Sequence, residues 1–378
     1  MNDQQNMAAF SYVSVGSDGL VCRRRARQIQ VGSVAIGGGA PISIQSMTNT
    51  DTRDAAATLA QIDAVARVGC EIIRVAVPDR QAVDTLPEIV TESAIPVIAD
   101  IHFDYRLALG AIEAGVACIR INPGTMQSEA HRREVAAAAA AARIPIRIGV
   151  NSGSIEKELL EKHGGPVPAA LVESAINHCA LFENWGCGAL KVSLKSSNVV
   201  ATVAACRMFA ARTDYPLHLG ITEAGTARSG TIKSATGIGC LLLEGIGDTL
   251  RVSLTAPPEQ EIIVAQKILE AVGLRRSEPE IVSCPTCGRT EIDLLPIVEA
   301  VEEEVSRLKA AGHRLGVRKI AIMGCVVNGP GEARDADLGI AGGKHEGVLF
   351  KHGEVVRKLD EDDLQAAILA ELQASVIE

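Results

Sequence analysis

The sequence predicts an α/β protein with an N-terminal (β/α)₈ TIM barrel and a smaller C-terminal α/β domain. Three observations carry this. Eight short β-branched runs alternate with helical stretches over about 250 residues, the length such a barrel needs. Each run ends in polar residues. Beyond them, three cysteines sit in two loops with no fourth cysteine after them.

The elements follow in chain order. Gln28–Ile36 alternates and runs into Gly37-Gly38-Gly39, the pattern of a hairpin placed to plug the barrel floor. The eight strands are predicted at Ile42–Gln45, Glu71–Val77, Val97–Ile101, Cys118–Ile121, Ile146–Val150, Ala189–Leu194, Leu217–Ile221 and Thr249–Leu254. Helical segments such as Thr58–Gly69, Tyr105–Gly115, Glu129–Arg143 and Val199–Arg212 separate them, several stopped by Gly or entered through Asp, Ser or Asn.

A barrel of this kind places its active site at the C-terminal face of its strands. The polar residues expected there are Gln45 and Ser46, Arg74, Asp100 and His102, Arg120 and Asn122, Arg147 and Asn151, Lys191 and Lys195, Thr222 and Glu223, and Arg251 and Ser253. Taken singly, an arginine at a strand end is better explained by pairing with a neighbouring carboxylate. Five strands of the eight contribute a cation, however, in a chain whose formal net charge is -9. Cations gathered at one mouth repel each other unless a multiply charged anion joins them, and guanidinium forks match phosphate oxygens. A diphosphate-bearing substrate fits. Gly225-Thr-Ala-Arg-Ser-Gly230 is followed by Thr231-Ile232, so the P-loop spacing fails, and no strand-to-helix turn shows G-x-G-x-x-G.

The barrel domain is predicted at 1–272, ending in a helix from about Glu259 to Val272, and the C-terminal domain at 281–378. The polar stretch Gly273–Glu280 links them. In the second domain, strands at Ile281–Ser283 and Arg318–Met323 lead into Cys284-Pro-Thr-Cys287 and Gly324-Cys325-Val-Val-Asn328-Gly-Pro-Gly-Glu332. A charged helix is expected at Leu294–Ala311, a hairpin at Val348–Val356 and a final helix from Glu361. Three thiolates suit an iron–sulfur cluster or a zinc ion, and the remaining position must be filled by another group. Glu332 is the natural candidate, a solvated turn carboxylate being its plainer reading, with His313 and His345 as alternatives from the same domain.

Composition bounds the class. The chain is 47% hydrophobic but 2% aromatic, which removes stacking platforms for nucleic acid, and a pI near 5.5 disfavours nucleic acid and anionic membrane. Ten scattered cysteines, several inside apolar runs, read as reduced thiols of a cytoplasmic protein. No apolar run is long enough to span a bilayer, and the first residues lack the core of an export signal.

The motifs resemble one family over nearly the whole chain: the 4-hydroxy-3-methylbut-2-enyl diphosphate synthases of the methylerythritol phosphate route to isoprenoids. The resemblance is carried by Gln45-Ser-Met-Thr-Asn-Thr, Ala99-Asp-Ile-His-Phe-Asp, Arg120-Ile-Asn-Pro-Gly, Arg147-Ile-Gly-Val-Asn, Leu217-His-Leu-Gly-Ile-Thr-Glu-Ala-Gly, Glu244-Gly-Ile-Gly-Asp-Thr-Leu-Arg-Val-Ser, Ser283-Cys-Pro-Thr-Cys and Met323-Gly-Cys-Val-Val-Asn-Gly-Pro-Gly-Glu. It implies a barrel plus a C-terminal iron–sulfur domain with a [4Fe-4S] cluster on Cys284, Cys287, Cys325 and Glu332. It also implies reductive opening and dehydration of 2-C-methyl-D-erythritol 2,4-cyclodiphosphate by two electrons from reduced flavodoxin or ferredoxin. By motif position Arg74, Arg147, Lys195, Arg251 and Ser253 would hold the diphosphate, and Asp100, His102, Arg120, Asn122 and Asn151 would line the mouth. Glu223 would be the acid/base group, and Asn328 would approach from the cluster side. A homodimer with the active site shared between subunits is implied as well. The competing reading is a redox-free barrel lyase or aldolase using Lys191 or Lys195 as a Schiff base, with structural zinc on the cysteines.

Overall fold

The computed structural model describes residues 21–122, 124–126, 128–276, 279–325, 327, 331 and 334–377. The chain divides into two compact units, Met1–Arg275 and Arg276–Glu378.

In the first unit β1 (Ile29–Val31) and β2 (Val34–Ile36) form an antiparallel hairpin. Its Ile29, Val31 and Ile36 pack against Ile72, Ile98 and Cys118. Those three lie at the starts of barrel strands, so the hairpin closes the floor with side chains too large and apolar to admit water. The barrel strands are β3 (Ser43–Met47), β4 (Ile72–Ala76), β5 (Val97–Ile101), β6 (Cys118–Ile121), β7 (Ile146–Asn151), β8 (Leu190–Lys195), β9 (His218–Leu219) and β10 (Thr249–Leu250). They are parallel in the order β8-β7-β6-β5-β4-β3-β10-β9, and a parallel bridge between Val192 and Leu217 joins the two ends. β9 and β10 are shorter than their apolar runs suggest. Arg251 N–H still reaches the Leu219 carbonyl at 3.0 Å, but regular pairing stops there.

The outer ring comprises α1 (Ala55–Arg67), α2 (Arg80–Glu92), α3 (Tyr105–Glu113), α4 (Glu129–Ala142), α5 (Lys157–His163), α6 (Pro168–Asn184), α7 (Val199–Ala210), α8 (Ala227–Leu243) and α9 (Pro258–Ala271). Asp54, Asp79, Asp104, Ser128 and Asn198 cap α1, α2, α3, α4 and α7, each side chain accepting a backbone N–H of the first turn. These caps close loops that leave the strand ends, so they also fix where the site residues begin. Outward-facing strand residues such as Ile44, Ile73, Val75, Ile119, Ile148 and Val192 are sealed against Ile62, Leu86, Ile89, Val135 and Phe209 of the helices. Each such aliphatic side chain contributes about 1.5–3 kcal/mol of burial.

The second unit holds a five-stranded sheet in the order β11-β13-β14-β15-β16. Its strands are β11 (Glu280–Ser283), β13 (Lys319–Met323), β14 (Leu338–Gly343), β15 (Glu346–Lys351) and β16 (Glu354–Asp360), the first three parallel and the last two antiparallel. A separate antiparallel pair joins β12 (Arg314–Leu315) and β17 (Val376–Ile377). Helices α10 (Leu294–Ala310) and α11 (Glu361–Ala374) supply Ile297, Val301, Val305, Leu364, Ile368 and Leu372 to one core with Ile320, Ile322 and Ile340 of the sheet. β14 is not expected from the sequence: Leu338-Gly-Ile-Ala-Gly-Gly343 is too small and glycine-rich. The structure supplies the reason, since a Cβ on Gly339 would stand 2.6 Å from the Ala321 carbonyl oxygen of β13. Among the described residues no helix is long and apolar enough to cross a membrane.

Candidate active site

Parallel register turns alternate strand residues into the barrel. Asp100 pairs with Arg120, Arg120 with Arg147, and Arg147 with Lys191, so four charged side chains on β5–β8 face inward at one level of the ladder. Arg74, one strand earlier, joins them. Arg120 Nη1 donates to Asp100 Oδ1 at 3.0 Å and to His102 Nε2 at 2.8 Å, while Arg74 Nη1 stands 3.4 Å from Asp100 Oδ2. The histidine nitrogen facing Arg120 is therefore an acceptor, which makes the ring neutral with its proton on Nδ1.

Burial and charge act together here. Burial would raise the Asp100 carboxyl, but Arg74, Arg120 and Arg147 outweigh it and hold the group well below the usual carboxylate range. Burial lowers the Arg74 guanidinium to about 10, against the opposing pull of Asp100. Lys195, at the end of β8, is driven well below its ordinary value by burial and then by Arg147, Arg74, Arg251 and Arg120. Those neighbours show that the cations reach one another's fields. His102 is lowered by burial, with Asp100 opposing and Arg120 and Arg74 adding to it.

Two glycines make the crowding possible. A Cβ on Gly149 would lie 2.7 Å from Arg120 Nε, and one on Gly220 would lie 2.5 Å from Lys195 Nζ. Glu261 of α9 was not expected from the sequence and holds the opposite wall. It accepts from Arg251 Nε and Nη2 at 3.2 Å each, from Ser46 Oγ at 3.0 Å and from Leu254 N–H at 3.0 Å. The signal was present as a carboxylate at a buried helical position, next to Ile262 and in phase with Ala265 and Ile268.

Two cations predicted at strand ends lie instead near strand beginnings. Arg147 and Lys191 are the second residues of β7 and β8. They sit four residues, or about 13 Å of strand, below Asn151 and Lys195, which pair with each other at the upper ends. Asn122 donates to Ser154 Oγ at 2.7 Å and accepts from Gly124 N–H at 3.2 Å, which ties the loop after β6 to the one after β7. Ser253 follows Arg251 by two residues, past the end of β10. Glu223 is exposed, on the loop after β9, with φ +51, a left-handed backbone uncommon for a non-glycine residue.

In the second unit, β11 and β13 are parallel neighbours with Ser283 opposite Ile322, so their following loops emerge side by side. Glu291 N–H to the Gly324 carbonyl, at 2.9 Å, ties the loops together. Cys284, Cys287 and Cys325 line one pocket with Pro285, Arg289 and Met323; neither His313 nor His345 belongs to it. The backbone N–H of Arg289, then its charge and the Thr290 hydroxyl, lower the Cys287 thiol, and Gly324 N–H donates to Cys284 Sγ at 3.2 Å. Such donors favour thiolates, the form that binds metal. Among the described residues, no three His, Cys, Asp or Glu side chains converge as around a single ion. The cysteine set fits an iron–sulfur cluster, which asks each thiolate to reach a different iron. Asn328 and Glu332 lie outside the described residues.

The profile of the GcpE TIM-barrel domain matches residues 26–266, and that of the GcpE protein C-terminal domain matches residues 280–374. A protein named 4-hydroxy-3-methylbut-2-en-1-yl diphosphate synthase (flavodoxin) from Geobacter sulfurreducens is 55% identical, over 94% of this chain and 99% of its own length. Proteins of the same name from Maridesulfovibrio salexigens and Clostridium perfringens are 54% and 53% identical, over 91% and 90% of this chain and 94% and 96% of theirs.

Proposed function

The chain belongs to the GcpE family of 4-hydroxy-3-methylbut-2-en-1-yl diphosphate synthases, and from that premise we propose how its residues carry out the reaction. It is an oxidoreductase of isoprenoid biosynthesis and an iron–sulfur protein that takes electrons from flavodoxin. The substrate is 2-C-methyl-D-erythritol 2,4-cyclodiphosphate. Two electrons and two protons enter, the ring C–O bond to phosphate breaks, one water leaves, and the linear allylic diphosphate remains.

The observation that supports this best is the charge imbalance inside the barrel. Asp100 answers Arg74 and Arg120, and Glu261 answers Arg251. Arg147 has buried Nε and Nη1 with no partner, and Lys195, higher on the neighbouring strand β8, feels its charge. A diphosphate placed between them completes the set. As the C–O bond breaks, charge grows on the phosphate, and guanidinium and ammonium groups already aimed there stabilise it without reorganisation. His102, neutral and fixed by Arg120, can donate Nδ1–H to a substrate hydroxyl. Glu223, exposed above the mouth, delivers the proton that lets the hydroxyl leave as water.

A [4Fe-4S] cluster on Cys284, Cys287, Cys325 and Glu332 would supply single electrons and a Lewis-acidic position beside the substrate. Asn328 would act from the same loop, and a homodimer would bring the two kinds of loop to one substrate. The aldolase alternative is not favoured, since the relatives carry the name of the reductive synthase and Lys191, one of its two candidate lysines, is 0% exposed. Analysis of anaerobically prepared protein tests the cofactor. About four irons and four sulfides per chain are expected, and stoichiometric zinc without sulfide would overturn the assignment.

A further inference from the structure

Below the mouth, the barrel interior carries a second group of polar side chains, of which the reaction uses only Arg147. Lys191 and Ser43 are 0% exposed, His218 and Gln45 1%, and Arg147 2%. Lys191 Nζ, both ring nitrogens of His218, both amide atoms of Gln45, Ser43 Oγ and Arg147 Nε and Nη1 are all buried without a hydrogen-bond partner. Register gathers them on contiguous strands. Arg147 pairs with Lys191, the Val192–Leu217 bridge sets Lys191 beside the strand of His218, His218 pairs with Thr249, and Thr249 with Ser43.

The inventory is rich in donors. Lysine and arginine offer only N–H groups, and the hydroxyl, amide and imidazole can each turn a donor inward. The nearby carboxylates are occupied, Asp100 by Arg74 and Arg120 and Glu261 by Arg251, Ser46 and Leu254. Burial, with Arg147 and Arg74 adding to it and Cys118 opposing, brings the Lys191 ammonium down to about 8. An unanswered ammonium in a closed interior is strongly unfavourable.

We propose that the barrel interior contains an occluded site for a halide-sized monovalent anion, formed by Lys191, His218, Gln45, Ser43 and the inner edge of Arg147, beneath the diphosphate site. The size follows from closure. Below Arg147, walls exposed by 1% or less at Lys191, Ser43, His218 and Gln45 leave no path for a large, multiply charged phosphate, whereas a weakly hydrated halide sheds its water at the least cost. The site makes no use of the cysteine cluster and does not depend on the substrate assignment.

Two measurements test it on the full-length, anaerobically prepared chain. In halide-free buffer at constant ionic strength, exchanging gluconate for bromide should raise the unfolding temperature of the wild type by about 3 °C or more, through linkage to a site present only in the folded state. Lys191→Met keeps the side-chain length without the charge. It should be insensitive to bromide and at least as stable as the wild type when halide is absent. Crystals of the wild type grown in bromide should show anomalous scattering within hydrogen-bond reach of Lys191 Nζ, a readout that needs no variant. No anomalous peak at that position, or an equal bromide response in wild type and Lys191→Met, would overturn the proposal.

Discussion

Arg120 Nη1 stands 3.0 Å from Asp100 Oδ1, with side chains only 6% and 9% exposed. This carboxylate is what allows Arg74 and Arg120 to be buried side by side. Asp100→Asn removes the charge and leaves both guanidiniums unanswered, a loss on the order of 3 kcal/mol. Inorganic diphosphate should restore part of it. Because the folded carboxyl is depressed, its stabilisation is complete above the ordinary value and is lost as pH falls through the folded one. The stability difference between wild type and variant, from denaturant titrations, should therefore be flat from about pH 8 to 5 and narrow only below about pH 4. A difference that shrinks near pH 6 would show that another group controls it.

Phe103 is 74% exposed at φ +62, and Asp104 N–H closes onto the His102 carbonyl at 2.7 Å across it. A bulky residue in this tight turn is strained, and strain of this kind marks functional loops. Phe103→Gly relieves the backbone while loosening His102. We expect an unfolding temperature within about 2 °C of wild type and a KM for the cyclodiphosphate about tenfold higher. An unchanged KM would show that the turn does not serve the site.

Much of this was legible in the sequence because the barrel repeats one pattern. Strands at Val97–Ile101 and Cys118–Ile121 emerge with the limits their β-branched runs suggest. Depth was not legible. In a strand buried on both faces, the sequence does not say how far along the barrel axis a charged residue sits, so Arg147 and Lys191 looked like mouth residues. Glu261 was hidden because its partners, Arg251 and Ser46, come from other strands. β14 was hidden because close strand packing there demands glycine instead of β-branched residues.

Glu223→Gln keeps the shape of the side chain and removes its proton. Turnover should fall about 10²–10⁴-fold with KM nearly unchanged, as for a group acting in the transition state. Equal losses of binding and turnover would make Glu223 a binding residue instead.

The cysteine loop separates two roles. Cys287→Ala should lose the visible absorption, iron and sulfide of the cluster, whereas Glu332→Ala should keep part of the cluster and lose most turnover. If both variants lose the cluster equally, Glu332 is purely structural.

Shared sites are tested by complementation. Mixing Cys325→Ala subunits with Glu223→Ala subunits should restore activity in the mixed dimers, each supplying what the other lacks. Failure to recover any activity, with mixed dimers demonstrated, would place barrel and cluster of one site in the same chain.

The most direct test is turnover itself. Anaerobic, cluster-loaded enzyme is supplied with 2-C-methyl-D-erythritol 2,4-cyclodiphosphate and reduced flavodoxin, and the product is identified by mass spectrometry. The predicted result is 4-hydroxy-3-methylbut-2-enyl diphosphate, formed with two flavodoxin electrons consumed per molecule and abolished in Arg147→Met. Unchanged cyclodiphosphate, or a product formed without oxidation of flavodoxin, would contradict the assignment.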